Sequence, residues 1–506
     1  MKRRANLVVV LALAALCTGL LVVAGCGKRP KRPNVLLVTI DTLRADRLER
    51  EMPGLMRVAA EGSRLECAVA PRAKTTPSIA TLLSGLQPHA HGVRDLGSPL
   101  ADDVPLLQEA LRSRGWRTGA IVGNWVLKDE HAGLARGFDL WVEDLPQTTG
   151  VPPHDAPQRT ATSLVDGALH ALGLGPRAAD GGPRSLLADE GEPWFLWLHL
   201  MDPHGAYEPP PHMLGIPPAP RWIAARDPAH PRRHVAEYNA PSRARDEQGR
   251  IDAALVEALH DGEVRHADAE LSRLFDALRR HGAWNDTLVL VTADHGESFG
   301  EDDYWFEHGR NASEATLRVP LVAKLPVDSP WRFQASEAQG EAALADLAPT
   351  LLEWLQLPPL AGARRGGDAQ LDGGGSLASD WCAGVVPTRP IFGEKVERTG
   401  LAGAVQHKVA RLHPWRLEQR LARDEAGRLR LVDESLHHLE RDPACERDLL
   451  DAPPADAPLL ELRALLAAWI ERDAGLAGLD AELERRRDEL RRRDPAALRA
   501  LEALGY

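Results

Sequence analysis

Five short apolar runs, separated by polar or helix-forming stretches, restrict this chain more than any other feature. They are Asn34–Ile40, Thr118–Val122, Trp194–Leu200, Thr287–Thr292 and Val319–Leu325. A strand with one wet face alternates apolar and polar residues, so a continuous apolar run is a strand buried on both faces. Helical patterns lie between the runs, among them Val104–Arg114 and Ala253–Arg280. Strands alternating with helices predict an α/β fold, a large, mostly parallel sheet with helices on both faces.

The 506 residues, 44% of them hydrophobic, can bury one large α/β core with additions. Lys2, Arg3 and Arg4 precede an apolar stretch, Leu7–Val23, and then Val23-Ala24-Gly25-Cys26, which resembles a bacterial lipobox. An ordinary secretory signal or a short membrane anchor would share the apolar stretch. The lipoprotein reading also explains Cys26, which cleavage would leave as the first residue and which would carry the lipid. More than one acyl chain on that residue meets the condition for stable anchoring. No later segment is apolar for long enough to span a bilayer.

The expected layout is a signal peptide over 1–25, a tether over 26–33 and a catalytic domain over 34–359. A Gly-rich linker over 360–389, a small α+β subdomain over 390–450 and a helical tail over 457–506 follow. The stretches 150–193 and 208–248, rich in Pro, Gly and charge, read as surface insertions near the substrate. The protein is therefore expected in the bacterial cell envelope, facing the periplasm or the exterior.

Lys and Arg number 61 against 73 Asp and Glu, a formal charge of -12, so no basic face supports a nucleic-acid partner. Of the five cysteines, Cys17 would leave with the signal and Cys26 would be lipidated. Cys67, Cys382 and Cys445 remain, with no metal-type spacing, and at most one disulfide can form among them.

The chemistry-bearing residues sit where strands end. Asn34–Ile40 runs into Asp41, Thr287–Thr292 into Ala293-Asp294-His295-Gly296-Glu297, and Trp194–Leu200 into Met201-Asp202-Pro203-His204. Ligands bind beyond the carboxyl ends of strands in an open parallel sheet, so the three loops should converge on one site. Any single Asp-His pair could equally be a cap or a core hydrogen bond. A fourth segment, Lys74 to Gly85, reads as a loop entering a helix with hydroxyls at its N-terminal end. Such a terminus suits a phosphate or sulfate oxyanion, although Thr75 or Thr76 could simply cap the helix.

The motifs resemble, in order, those of the sulfatase family in the alkaline phosphatase superfamily. Arg32-Pro-Asn-Val-Leu-Leu-Val-Thr-Ile-Asp-Thr-Leu-Arg-Ala-Asp46 is similar to its N-terminal motif. Thr76-Pro-Ser-Ile-Ala-Thr-Leu-Leu-Ser-Gly85 with Pro88-His-Ala-His-Gly92 is similar to its nucleophile segment. Gly115–Asn124, Arg136–Asp139, Met201–His204, Thr292–Glu297, His308-Gly309 and Leu439–Pro443 continue the likeness, which spans about Pro33 to Leu450. The resemblance implies Asp41, Asp294 and His295 as ligands of a divalent metal, zinc or calcium, with a second metal as an option. It puts Thr75, two residues before Pro77, at the nucleophile, where it would also touch the metal. His204 would contact the anionic group or protonate the leaving oxygen. His308 and Asp202 are candidates for a second metal or the substrate, and Lys408 for an anion contact, with an exposed strand lysine as its ordinary reading.

The departures carry equal weight. Formylglycine sulfatases have Cys or Ser where this chain has Thr75, and Arg where it has Ile79. Oxidation of a threonine alcohol gives a ketone, never the aldehyde of formylglycine. Thr42 replaces a second Asp, and Asn124 and Val126 replace two cationic sulfate contacts. The expected function is a metal-dependent hydrolase of sulfate or phosphate esters with a Thr nucleophile, acting on an anionic ester substrate such as an envelope glycan or lipid. The alternatives are a phosphoethanolamine-type transferase and a non-catalytic, sulfatase-like binding lipoprotein.

Overall fold

The computed structural model describes residues 32–146, 158–175, 192–230, 233–360, 369–395, 405–424, 429–473 and 492. The expected signal peptide, Cys26, nearly all of the expected tether, most of the 150–193 stretch, part of the expected linker and nearly all of the chain beyond residue 473 lie outside them.

Eight strands form the main sheet: β1 (Asn34–Ile40), β2 (Ser63–Val69), β3 (Arg117–Ile121), β4 (Leu140–Val142), β5 (Trp194–Leu200), β6 (Thr287–Ala293), β7 (Arg318–Lys324) and β8 (Glu337–Ala343). Their order across the sheet is β8-β2-β7-β6-β1-β5-β3-β4. β1 lies at the centre, parallel to β5 and β6, with Val35 opposite Phe195 and Leu288. Every residue of these three strands is buried, as their unbroken apolar sequences require. β7 alone runs against its neighbours, antiparallel to both β2 and β6.

Three strands of the main sheet were not legible as apolar runs: β2, β8 and the three-residue edge strand β4. β2 reads Ser-Arg-Leu-Glu-Cys-Ala-Val and β8 reads Glu-Ala-Gln-Gly-Glu-Ala-Ala, each with partly exposed positions. β8 forms one edge with β2 beside it, so polar residues are tolerated on the wetter positions and the apolar signal is diluted.

Helices cover the sheet, including α1 (Thr75–Ser84), α2 (Ala161–Ala171), the 28-residue α3 (Ala253–Arg280) and α4 (Leu347–Trp354). Asp252 caps α3 by accepting from the amides of Ala254 and Leu255.

Four antiparallel strands, β9 (Ile391–Lys395), β10 (Val405–Leu412), β11 (Trp415–Arg423) and β12 (Leu429–His438), form a second sheet. α5 (Leu459–Asp473) packs on it, with Trp469 stacked on Phe392 at 5.1 Å between ring centroids. A buried ion network docks this sheet on the main one. Arg411 pairs with Glu314 and Glu341, while Arg416 lies 3.2 Å from Glu314 and 2.7 Å from Glu418. Cys67, Cys382 and Cys445 are all free thiols. Among the described residues no helix is long and apolar enough to cross a membrane.

Candidate active site

The central strands end level with one another, because Ile40 is paired with both Leu200 and Ala293. The residues that follow, Asp41, Met201 and Asp294, therefore leave the sheet side by side. α1 brings Thr75 to the same place as its first helical residue. Thr75 Oγ1 lies 3.5 Å from Asp41 Oδ2 and 3.4 Å from His295 Nε2. His295 Nε2 is in turn 3.8 Å from Asp41 Oδ1 and 3.5 Å from Asp294 Oδ2. Thr76 faces elsewhere and donates its hydroxyl to the Val126 carbonyl at 3.2 Å.

Asp41, Asp294 and His295 are fully buried. Asp41 Oδ1 and Asp294 Oδ2 have no hydrogen-bond partner. Two bare carboxylate oxygens in a closed site are costly unless a cation or a proton meets them. Burial, then repulsion from Asp41, raises the Asp294 pKa. Burial also pushes Asp41 up, but His204, the bond from His199 and His295 outweigh it and hold its carboxylate below the ordinary range. Burial lowers the His295 pKa, which keeps the ring neutral. Its Nδ1 donates to the Gly296 carbonyl at 3.0 Å, leaving a lone pair on Nε2. Asp41, Asp294 and His295 thus offer lone pairs beside the Thr75 hydroxyl, a donor set whose chemistry fits a divalent cation.

His204 and His308 complete one side, with their rings 5.4 Å apart and His308 4.4 Å from the His295 ring. His204 Nδ1 donates to the Gly205 carbonyl at 2.9 Å. Burial lowers the His308 pKa, but the Glu297 carboxylate, 3.4 Å from Nδ1, outweighs it and lifts the value to about 9. Tyr207, from the loop after β5, donates to the other Glu297 oxygen at 3.0 Å. The insertion over 208–248 reaches the strand Tyr304–Glu307, which leads into His308. Asn239 donates to the Phe306 carbonyl at 2.7 Å, and His234 lies 2.7 Å from Glu307.

Two predicted positions lie apart from this cluster. Asp202 Oδ2 accepts the amide of Ala161 at the start of α2, which makes it a helix-capping carboxylate. Lys408 is 0% exposed on β10, ion-paired with Glu394 and 4.7 Å from the Trp469 ring centroid, so it is not a surface lysine. Glu394 also receives Arg72 at 2.7 Å.

Other residues at the site were missed or misread from sequence. Asn124, which replaces a family cation, donates to Asp41 Oδ2 at 3.0 Å and accepts the Val126 amide at 2.9 Å. Thr42 takes φ 56°, uncommon for a β-branched residue, and its amide faces Asp294 Oδ1 at 3.4 Å. His199 lies 3.4 Å from Asp41 Oδ2 and, with Asp41 and Asp294, forms a set of atoms within 4.8 Å of one another, close enough to hold an ion. The available signal was its place within Trp-Phe-Leu-Trp-Leu-His-Leu, since a polar residue inside a fully buried strand needs a partner.

A central parallel sheet whose strands end on Asp41, the Asp294-His295 pair and a facing hydroxyl has the layout of an ester hydrolase of the alkaline phosphatase superfamily. Within that class the chain belongs to the sulfatase family, whose sequence model, described as Sulfatase, matches residues 33–357. It is similar to the multifunctional alkaline phosphatase superfamily protein PehA of Trinickia caryophylli, 27% identical over 400 residues that cover 64% of this chain and 74% of that protein. Among solved structures it superposes on a protein in complex with its substrate D-glucosamine-2-N,6-O-disulfate, with a TM-score of 0.65 and 19% identity, over 88% of this chain and 99% of that one. It also superposes on the phosphonate monoester hydrolase of Agrobacterium radiobacter, with a TM-score of 0.58 and 22% identity, over 89% and 96% of the two chains. These two superpositions show a shared fold.

Proposed function

We propose that this chain hydrolyses sulfate or phosphate esters with Thr75 as the nucleophile, unmodified, in place of formylglycine. The observation that carries the reading is the placement of Thr75 Oγ1 within 3.5 Å of both Asp41 Oδ2 and His295 Nε2, beside two unpartnered carboxylate oxygens. A divalent ion held by Asp41, Asp294 and His295 would act as a Lewis acid, lowering the hydroxyl pKa and neutralising developing charge.

Thr75 opens a helix, so the first-turn amides and the helix dipole favour an anionic group brought against it. The Thr75 hydroxyl proton is lost to solvent, Oγ1 forms its bond to sulfur or phosphorus, and the bond to the ester oxygen breaks. His204 has its Nδ1 committed to Gly205, which leaves Nε2 to deliver a proton to that oxygen. His308, kept cationic by Glu297, offers charge to the anionic group. Water then resolves the covalent ester on Thr75. The lipobox supports a companion reading, in which lipid on Cys26 holds the enzyme at a bacterial envelope membrane near glycan or lipid esters.

The test is turnover of matched aryl sulfate, phosphate monoester, phosphodiester and phosphonate substrates by metal-depleted and metal-restored enzyme. Mass spectrometry of the Thr75 peptide from acid-quenched turnover reads the adduct. Activity with at least one substrate, together with an adduct on Thr75, is expected. An adduct on another residue, or turnover unaffected by metal removal, would reject the mechanism.

A further inference from the structure

Two histidines flank Asp41: His199 has a ring nitrogen within 4.8 Å of oxygens of both Asp41 and Asp294, and His295 Nε2 lies 3.8 Å from Asp41 Oδ1 and 3.5 Å from Asp294 Oδ2. Their hydrogen bonds assign them different roles. We infer that His199 is a positioning residue, the last member of a relay from Trp197 through Thr39 that turns Asp41 toward the cation site, and not a ligand. The inference rests on the reading of Asp41, Asp294 and His295 as the ligand set.

The relay begins with a group that can only donate. The Trp197 indole Nε1–H donates to Thr39 Oγ1 at 2.9 Å. Thr39 Oγ1 also lies 2.8 Å from His199 Nδ1, and all three side chains are fully buried. With the indole using one lone pair of the threonine oxygen, the hydroxyl hydrogen has His199 Nδ1 as its acceptor. The opposite tautomer would strand that hydrogen without a partner, which is costly in a fully buried site. Nδ1 is therefore the acceptor, so the ring carries its proton on Nε2. That N–H points to Asp41 Oδ2 at 3.4 Å. A nitrogen that bears a proton has no lone pair for a metal.

The carboxylate shows the consequence. Asp41 Oδ2 takes donors from His199, from Asn124 at 3.0 Å and from Thr75 at 3.5 Å, while Oδ1 takes none. One oxygen faces protein donors and the other is left bare toward His295 Nε2. His295 has the reverse arrangement, because its Nδ1 is committed to a carbonyl, which can only accept. Outer partners of this kind fix the orientation of a ligand and tune its affinity.

Two measurements test the relay. The first is the 15N spectrum of histidine-labelled, metal-free protein, with the His199 signals assigned by their loss in His199→Gln. A protonated Nε2 is expected, and Thr39→Val should weaken that preference while Thr39→Ser keeps it. An unprotonated Nε2 would overturn the relay whatever the ligand set. The second is zinc affinity by chelator competition. His199→Gln retains an N–H for Asp41 and should bind zinc much as wild type does, whereas His199→Leu and Thr39→Val should weaken binding by about 10–100-fold. His295→Ala should lose more than either. If His199→Gln loses zinc as fully as His295→Ala does, His199 is a ligand and the inference fails. Wild-type zinc affinity in His295→Ala would instead reject the ligand set itself, with the tautomer still judged by the first measurement.

Discussion

Thr75→Ala separates chemistry from architecture at this site. Lys74, not Thr75, occupies the cap of α1, and no side-chain cap bond is made there. The Thr75 hydroxyl has contacts at 3.4 and 3.5 Å, both longer than a good hydrogen bond. A sound buried bond contributes about 0.5–1.5 kcal/mol, and these long ones belong at the low end. Alanine recovers a few tenths of a kcal/mol through its helix propensity. The expected change in folding stability is therefore within about 1 kcal/mol. Removing a nucleophile should cost about 10³–10⁶ in kcat/KM, which at 1.36 kcal/mol per decade is about 4–8 kcal/mol. The kinetic loss should thus exceed the stability change several-fold. Thr75→Ser keeps the hydroxyl and should retain part of the turnover. Thr76→Ala removes the bond to the Val126 carbonyl, so it should lower stability by about 0.5–1.5 kcal/mol and leave turnover close to wild type. Steady-state kinetics on the best ester of the panel, with urea unfolding of all three variants, decides the matter. Wild-type kcat/KM in Thr75→Ala would refute the covalent mechanism.

Cys26→Ala should release the protein from the membrane fraction in detergent-free fractionation, and persistent attachment would reject lipid anchoring. Asp294→Ala and His295→Ala should lower bound metal and abolish turnover with unchanged far-UV circular dichroism; full metal occupancy in both would reject the ligand set. Arg411→Met removes the arginine that Glu314 and Glu341 share, leaving Glu341 with no arginine and Glu314 with Arg416 as its nearest one, and should destabilise the fold by about 3–5 kcal/mol, measured by urea unfolding. Burial pushes Glu341 up, but Arg411 and His413 outweigh it and hold its pKa below the ordinary value. Below about pH 4.5 the unfolded chain takes up this proton before the folded one does, so the stability it contributes is present above that pH and falls as acid is added. Glu341→Gln should therefore flatten the acid limb of stability against pH, and an unchanged limb would count against the assignment.

The amino-acid sequence determined the buried parallel strands and the residues at their ends. Asn34–Ile40 and Trp194–Leu200 emerge as strands with the boundaries their apolar runs predict, and Ala253–Arg280 as one helix. Burial on both faces admits few residue types, so such segments announce themselves, and Asp41 and Asp294-His295 stand out as the first polar residues beyond them. β2 and β8 stayed hidden because strands at and beside a sheet edge need no uniform pattern. Asp202 and Lys408 carried the right chemistry, but only tertiary packing shows the one capping α2 and the other paired with Glu394. Asn124 and His199 are far from Asp41 in sequence and come within 3.0 and 3.4 Å of it through parallel strand packing. Which histidine nitrogen holds a proton depends on the group at its other side, a carbonyl for His295 and a threonine hydroxyl for His199. Spacing along a chain does not record that neighbour, so the tertiary structure alone decides which histidine can face a cation and which one holds the carboxylate in place.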